Sequence, residues 1–174
     1  MIIQPIIKKK LPDLQLLTFE MDVKVKESNP EFWQESNSMM NEIIGQLKME
    51  DISQLPANKA TREAYKVFGK DPSRYRPSAE ALLRRIINGK GLYHVNNVVD
   101  CLNLLSVRTG FSIGGFDQDL IQGEASLSLG DQSEYKAIGR GVLNIEYLPT
   151  LFDEIGPFGT PTSDSMRTMV SVPG

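Results

Sequence analysis

The chain has 174 residues, of which 40% are hydrophobic and 24% charged, proportions that fit one soluble globular domain. A formal net charge of -3 gives the whole molecule no bulk attraction for nucleic acid or membrane. A single cysteine and a single histidine exclude an internal disulfide, a cysteine-rich metal site and any chemistry that needs two imidazoles. The opening Met1–Lys10 is broken too early by Pro5 to form a signal peptide, and no apolar run approaches membrane-spanning length. The expectation is a cytoplasmic protein with no metal and no cofactor.

In chain order, Leu14 to Val25 comes first. Its apolar residues alternate from Thr18 onward, with Phe19, Met21, Val23 and Val25 sharing one parity, which predicts a strand with one buried face. Asn29-Pro30 then starts a helix, and Trp33, Met40, Ile43, Ile44 and Leu47 recur at helical spacing along it. A second helix is predicted from Asn58 to Phe68, closed by Gly69. A loop follows from Lys70 to Arg76, and Pro77 opens a third helix carrying Leu82, Leu83, Ile86 and Ile87 up to Asn88-Gly89.

Asn97 is expected to cap the next helix, with Asp100 at the positive end of its dipole, Arg108 in its last turn and Gly110 closing it. Gly114-Gly115 follows, where the missing side chains let another group approach the backbone. Beyond it, Ile121 to Leu129 and Val142 to Tyr147 read as strands separated by Gly139-Arg140-Gly141, and Met169 to Val172 is a short apolar stretch. Strand, several helices, then several strands indicate an α+β fold rather than a regular α/β one.

Several groupings carry possible chemistry. Between Lys59 and Lys90 stand Lys59, Arg62, Lys66, Lys70, Arg74, Arg76, Arg84, Arg85 and Lys90 against only Glu63, Asp71 and Glu80. This local reversal of sign, with Tyr65, Tyr75 and Tyr93 near it, suits phosphate contacts and base stacking. It equally suits two solvated helix faces. Arg74 and Arg76 sit in a proline-bracketed loop, where a guanidinium forks onto phosphate or pins the loop to its own carbonyls.

Asn96, Asp100 and Asn103 form a polar stripe that either holds a neighbouring loop or orients a small polar ligand. His94 and Cys101 are seven apart across a helix start, with Cys101 expected to point into the core, so a Cys–His nucleophile pair is disfavoured. In the stiff loop from Phe158 to Thr168, Asp164 and Arg167 are spaced to pair and order it, or the loop covers a pocket and supplies donors to an ester or amide carbonyl.

Three of these stretches together resemble a known family: Gly69-Lys-Asp-Pro-Ser-Arg-Tyr-Arg-Pro-Ser-Ala-Glu-Ala-Leu-Leu-Arg-Arg85, Val95-Asn-Asn-Val-Val-Asp100 with Asn103, and Gly115-Phe-Asp117. They are similar to the free-standing editing-domain proteins and to the B three/four domain of the bacterial phenylalanyl-tRNA synthetase beta chain. The likeness runs from about Ala64 to Asp117 and again from Gly156 to Thr168, while the first fifty residues fit in pattern only.

The resemblance implies a single α+β domain over residues 1–174, a mixed sheet with packed helices around a central pocket, where a positioned water hydrolyses the ester of an amino acid wrongly attached to tRNA. It implies a substrate pocket of Leu102, Asn103, Gly114, Gly115, Asp164 and Arg167, with tRNA as the partner reached through Lys66, Lys70, Arg74, Arg76, Arg84 and Arg85. Asn103 matches a pocket-lining Asn. Leu102 stands where the synthetase has a pocket Thr, and Gly114 where it has a pocket His, so water and substrate would be held differently. The family's usual C-terminal elements are expected to be absent after Gly174. The function implied is trans-editing of misacylated tRNA; the alternatives are a non-catalytic RNA-binding module and a small-molecule binder on the same fold.

Overall fold

The computed structural model describes residues 1–173. Helices fill the first two thirds: α1 (Pro5–Lys8), α2 (Pro30–Gln46), α3 (Pro56–Val67), α4 (Ser78–Ile87) and α5 (Asn97–Thr109). The strands are β1 (Ile2–Ile3), β2 (Ser126–Leu129), β3 (Lys136–Ala137), β4 (Gly141–Val142), β5 (Pro149–Phe152) and β6 (Pro157–Gly159). A mixed sheet has the order β1-β2-β5-β6, parallel between β1 and β2 and antiparallel elsewhere, and β3-β4 is a separate antiparallel ribbon. This is the α+β architecture expected.

Local chemistry explains the helix starts. Asn29 Oδ1 accepts from the Phe32 amide at 2.8 Å and Pro30 occupies the first helical position of α2. Pro56 likewise opens α3, two residues before the expected start, which frees Asn58 to donate from inside the core to the Ile52 carbonyl at 3.0 Å.

Three apolar clusters hold the elements together. The helical core joins Met40, Ile52, Leu82, Leu83, Ile86, Leu92 and Val107, with Trp33 packed against it. Tyr65 of α3 meets Tyr135, Ala137, Leu143, Ile145 and Leu148 of the strand region in the second. Ile7, Phe68 and Leu127 form the third, under the sheet. Truncating a side chain as buried as Leu83 costs about 2–5 kcal/mol, because the removed methyl groups leave a cavity.

The strands depart most from the sequence reading. Leu14 to Val25 forms no strand: the chain runs from Leu14 to Asn29 without turn, bend or ladder, and Phe19 is 77% exposed. Alternation prepares a face, but a strand exists only when a neighbour satisfies its amides and carbonyls, and no described segment does so here. Ile121–Leu129 shortens to β2 because Gly123 turns into the left-handed region at φ 69°. Val142–Tyr147 breaks after Val142, where Asn144 Oδ1 accepts from the Glu146 amide at 3.0 Å and Tyr147 takes φ 67°. Met169–Val172 contributes a single bridge, from Met169 to Phe116.

Candidate functional site

The first wall is α5. Its cap is Asn96, not Asn97: the Asn96 side-chain oxygen accepts from the Val98 and Val99 amides at 3.1 and 3.0 Å, and its amide donates to the Val170 carbonyl at 3.1 Å. Asn97 holds the preceding arm, accepting from the Lys26 amide at 2.9 Å and donating to the Lys24 carbonyl at 3.1 Å. Asp100 is buried and occupied, accepting from the Val95 amide at 2.8 Å and the Ser28 hydroxyl at 2.6 Å. Most of the polar stripe therefore fastens loops. Asn103 differs: its half-buried amide makes no hydrogen bond among the described residues. Gly110 closes the helix in the left-handed conformation as expected, at φ 79°. Cys101 points outward, correcting its expected place in the core, because the helix buries Asp100, Ser106 and Val107 instead.

The chain then turns through Gly114-Gly115 against the loop after β6. The Gly115 amide donates to Asp164 Oδ2 at 3.1 Å. A Cβ placed on Gly114 would lie 3.0 Å from Asp164 Oδ1 and 2.5 Å from the edge of the Phe116 ring. A Cβ on Gly115 would lie 2.5 Å from Leu102 Cδ1, so a side chain there would displace the tip of Leu102 where α5 meets the turn. Phe116 in turn stands edge-on to the buried Phe158 at 5.0 Å. The Phe116 ring and the Asp164 carboxyl thus share the space that a side chain at position 114 would fill.

Burial pushes the Asp164 carboxyl up to about 7 against the opposing Gly115 hydrogen bond. Gly114 itself is exposed and its amide makes no hydrogen bond among the described residues, so the acid lies beside exposed backbone. The Asp164 loop is fixed from behind. Thr162 donates to the Tyr75 carbonyl at 2.9 Å, which leaves Tyr65 to donate to Thr162 at 2.8 Å, and Tyr135 donates to the Ser163 carbonyl at 2.7 Å.

Arg167 does not pair with Asp164, although their spacing predicted it. It forks onto Asp153 at 2.8 and 3.1 Å and donates to the Gly156 carbonyl at 3.1 Å. Burial pushes Asp153 up, but Arg167 and the Gln122, Gly156 and Ile155 amides together hold it down at about 2. A bidentate partner brought in by the fold outcompetes a near neighbour in sequence that offers only one oxygen. Asp164 is left without a cation.

Residues 60–145 match the family model of the B3/4 domain. Over that stretch the chain is similar to the B3/4 domain, and so resembles the B three/four domain of the phenylalanyl-tRNA synthetase beta chain. No curated protein and no solved structure matches the chain. The B3/4 match takes in most of α3, all of α4 and α5, the Gly114-Gly115 turn and the β3-β4 ribbon; Asp164 and Arg167 lie beyond it.

The basic segment within that match is only partly free. Arg62, Arg76 and Arg84 converge on the fully buried Glu80 at 3.0, 3.6 and 3.0 Å. Lys70 is buried, donates to the Asn144 and Glu146 carbonyls at 2.9 and 2.6 Å and covers the Tyr75 ring at 3.8 Å. Desolvation lowers its pKa. Lys66 pairs with Glu63 at 2.9 Å, both largely in water. Arg74 is exposed, and Arg85 stacks on Tyr93 at 3.9 Å. His94 stacks on Trp33 at 3.6 Å and is not linked to Cys101 by any hydrogen bond among the described residues.

Two hollows lie away from Gly114: one of about 690 Å³ between Asp22–Val25 and Val172–Pro173, and one of about 260 Å³ between α2 and the end of α4. Beside Gly114 itself, the Phe116 ring and the Asp164 carboxyl fill the space that a side chain would take. Among the described residues no cluster of acids, histidine and cysteine could hold a metal ion, and no helix is long and apolar enough to cross a membrane. Asp153 and Glu80 escaped sequence reasoning. Neither has a partner at a telling spacing except Arg76 and Arg84, four residues either side of Glu80.

Proposed function

We propose that this B3/4-like domain hydrolyses the ester of misacylated aminoacyl-tRNA in trans, with Asp164 as the proton acceptor. The observation that carries the reading is the Asp164 carboxyl beside Gly114, raised to about 7 and next to an exposed residue whose amide makes no hydrogen bond among the described residues. A water held by Asp164 attacks the ester carbonyl and gives its proton to the carboxylate. The Gly114 amide donates to the developing oxyanion, and the ribose oxygen leaves with the proton returned by Asp164. Asn103, the member of the polar stripe with no hydrogen bond among the described residues, orients the aminoacyl group. The acceptor end approaches across Arg74 and the Arg85–Tyr93 stack, with the cytoplasm as the compartment.

Deacylation of a panel of aminoacyl-tRNAs tests this. Turnover should rise with pH through about 7, as Asp164 ionises. Asp164→Asn should lower it by about 10²–10⁴-fold without unfolding the chain. No turnover above blank with any aminoacyl-tRNA overturns the reading. A second reading, a non-catalytic tRNA-binding module, draws on the Arg85–Tyr93 stack, since Tyr93 is 52% exposed and able to receive an unpaired base. It requires binding that weakens steeply with salt and is unchanged in Asp164→Asn.

A further inference from the structure

The arm between Leu14 and Asn29 is extended, unpaired and held at both ends. Leu14 packs on the core cluster of Ile7, Phe68 and Leu127, while Asn97 grips Lys24 and Lys26 and Asp100 grips Ser28. Between these anchors, no backbone group of residues 15–23 makes a hydrogen bond among the described residues. Leu17, Phe19, Met21 and Val23 are exposed on one parity. In an extended chain the polar groups of Lys24 and Lys26 point to one edge, which Asn97 occupies, and those of Met21, Val23 and Val25 point to the other.

The charges on this arm decide what completes it. Glu20, Asp22, Lys24 and Lys26 share one face. When two copies are laid antiparallel with Val23 opposite Val23, Glu20 meets Lys26, Asp22 meets Lys24, and the two reciprocal pairs repeat across the axis. On the other face Met21 meets Val25. The even positions are the closely spaced, non-hydrogen-bonded pairs of such a ladder, where opposite charges act most strongly. Shifting the register by two in the direction that pairs Asp22 with Asp22 sets like charges against each other at the centre. Edge charges normally discourage pairing. Here their order is self-complementary and fixes one register.

We propose that residues 19–27 form an edge strand that pairs antiparallel with the same segment of a second copy, making an isologous dimer with its two-fold axis at Val23. The pairing satisfies the open amides and carbonyls of the arm and sets Met21 of each copy beside Val25 of the other.

Sedimentation velocity of the full chain over a wide concentration range tests this. The wild type should dimerise. Lys24→Glu/Lys26→Glu turns every cross-strand pair repulsive and should raise the dissociation constant at least about 100-fold. Adding Glu20→Lys and Asp22→Lys to that variant restores complementarity with the signs exchanged, and should restore the dimer. Val23→Pro removes the amide at the axis and should abolish it. All four positions are exposed, and circular dichroism should report unchanged folding. A wild type that stays monomeric, a dimer indifferent to charge reversal, or a four-fold swap that fails to rescue overturns the proposal.

Discussion

Asp153 and Asp164 flank strand β6, and the fold places them in opposite electrostatic states. Asp153 is half-buried with its side chain out of water, yet it stays ionised far below neutrality, because Arg167 grips both oxygens. Asp164 has one backbone donor and no cation, so loss of water dominates and its proton is held until about pH 7. One carboxylate is a structural rivet and the other a group able to exchange a proton. Two acids whose surroundings drive their pKa values apart have separable roles, and here Arg167 separates them.

Removing that arginine is the strongest way to break the contrast. Arg167→Ala strands a charge in the Asp153 site and should cost about 3 kcal/mol in urea unfolding, whereas Asp153→Asn/Arg167→Met should recover much of it. Gly114→Ala drives a methyl group against Phe116 and Asp164 and should cost about 2 kcal/mol, with loss of turnover.

The pH dependence of stability sharpens the comparison. Asp153 is lowered from 3.8 to about 2, so its contribution is complete above about pH 4 and is lost as pH falls through 2. Asp164 is raised from 3.8 to about 7, so the folded state holds more protons than the unfolded between those values and stability declines as pH rises across them. Asp164→Asn should remove this alkaline limb and raise Tm by about 3 °C at pH 8, since the amide oxygen still accepts from Gly115. The smallest expected change in stability is Asn103→Ala, within about 0.5 kcal/mol, with activity reduced.

The helices were legible because their signals are local. Pro30, Pro77 and Gly110 act within a turn of their own positions, and apolar residues at helical spacing need only one buried side. The cap of α5 was ambiguous in sequence, since Asn96 and Asn97 have the same chemistry. What separates them is tertiary: Val170 lies beside the first and the Lys24–Lys26 arm beside the second. The arm itself shows the limit of alternation, which specifies a face without a neighbour. Near the turn, the sequence marked Gly114-Gly115 as a place of close approach, which the structure shows against Leu102 and Asp164. The freedom of Asp164 from Arg167 depended on Asp153, reached only when β5 and β6 pair.

The stack of His94 on Trp33 gives the molecule its own optical gauge. Trp33 is the sole tryptophan, its ring lies 3.6 Å from the imidazole, and His94 sits just ahead of the Asn97 clamp on the arm. Indole emission is therefore a single-site readout of how α2 and the start of α5 sit together. Any event that tugs the arm, whether strand pairing or its release, is to be followed in the native chain by intrinsic fluorescence, with no label attached.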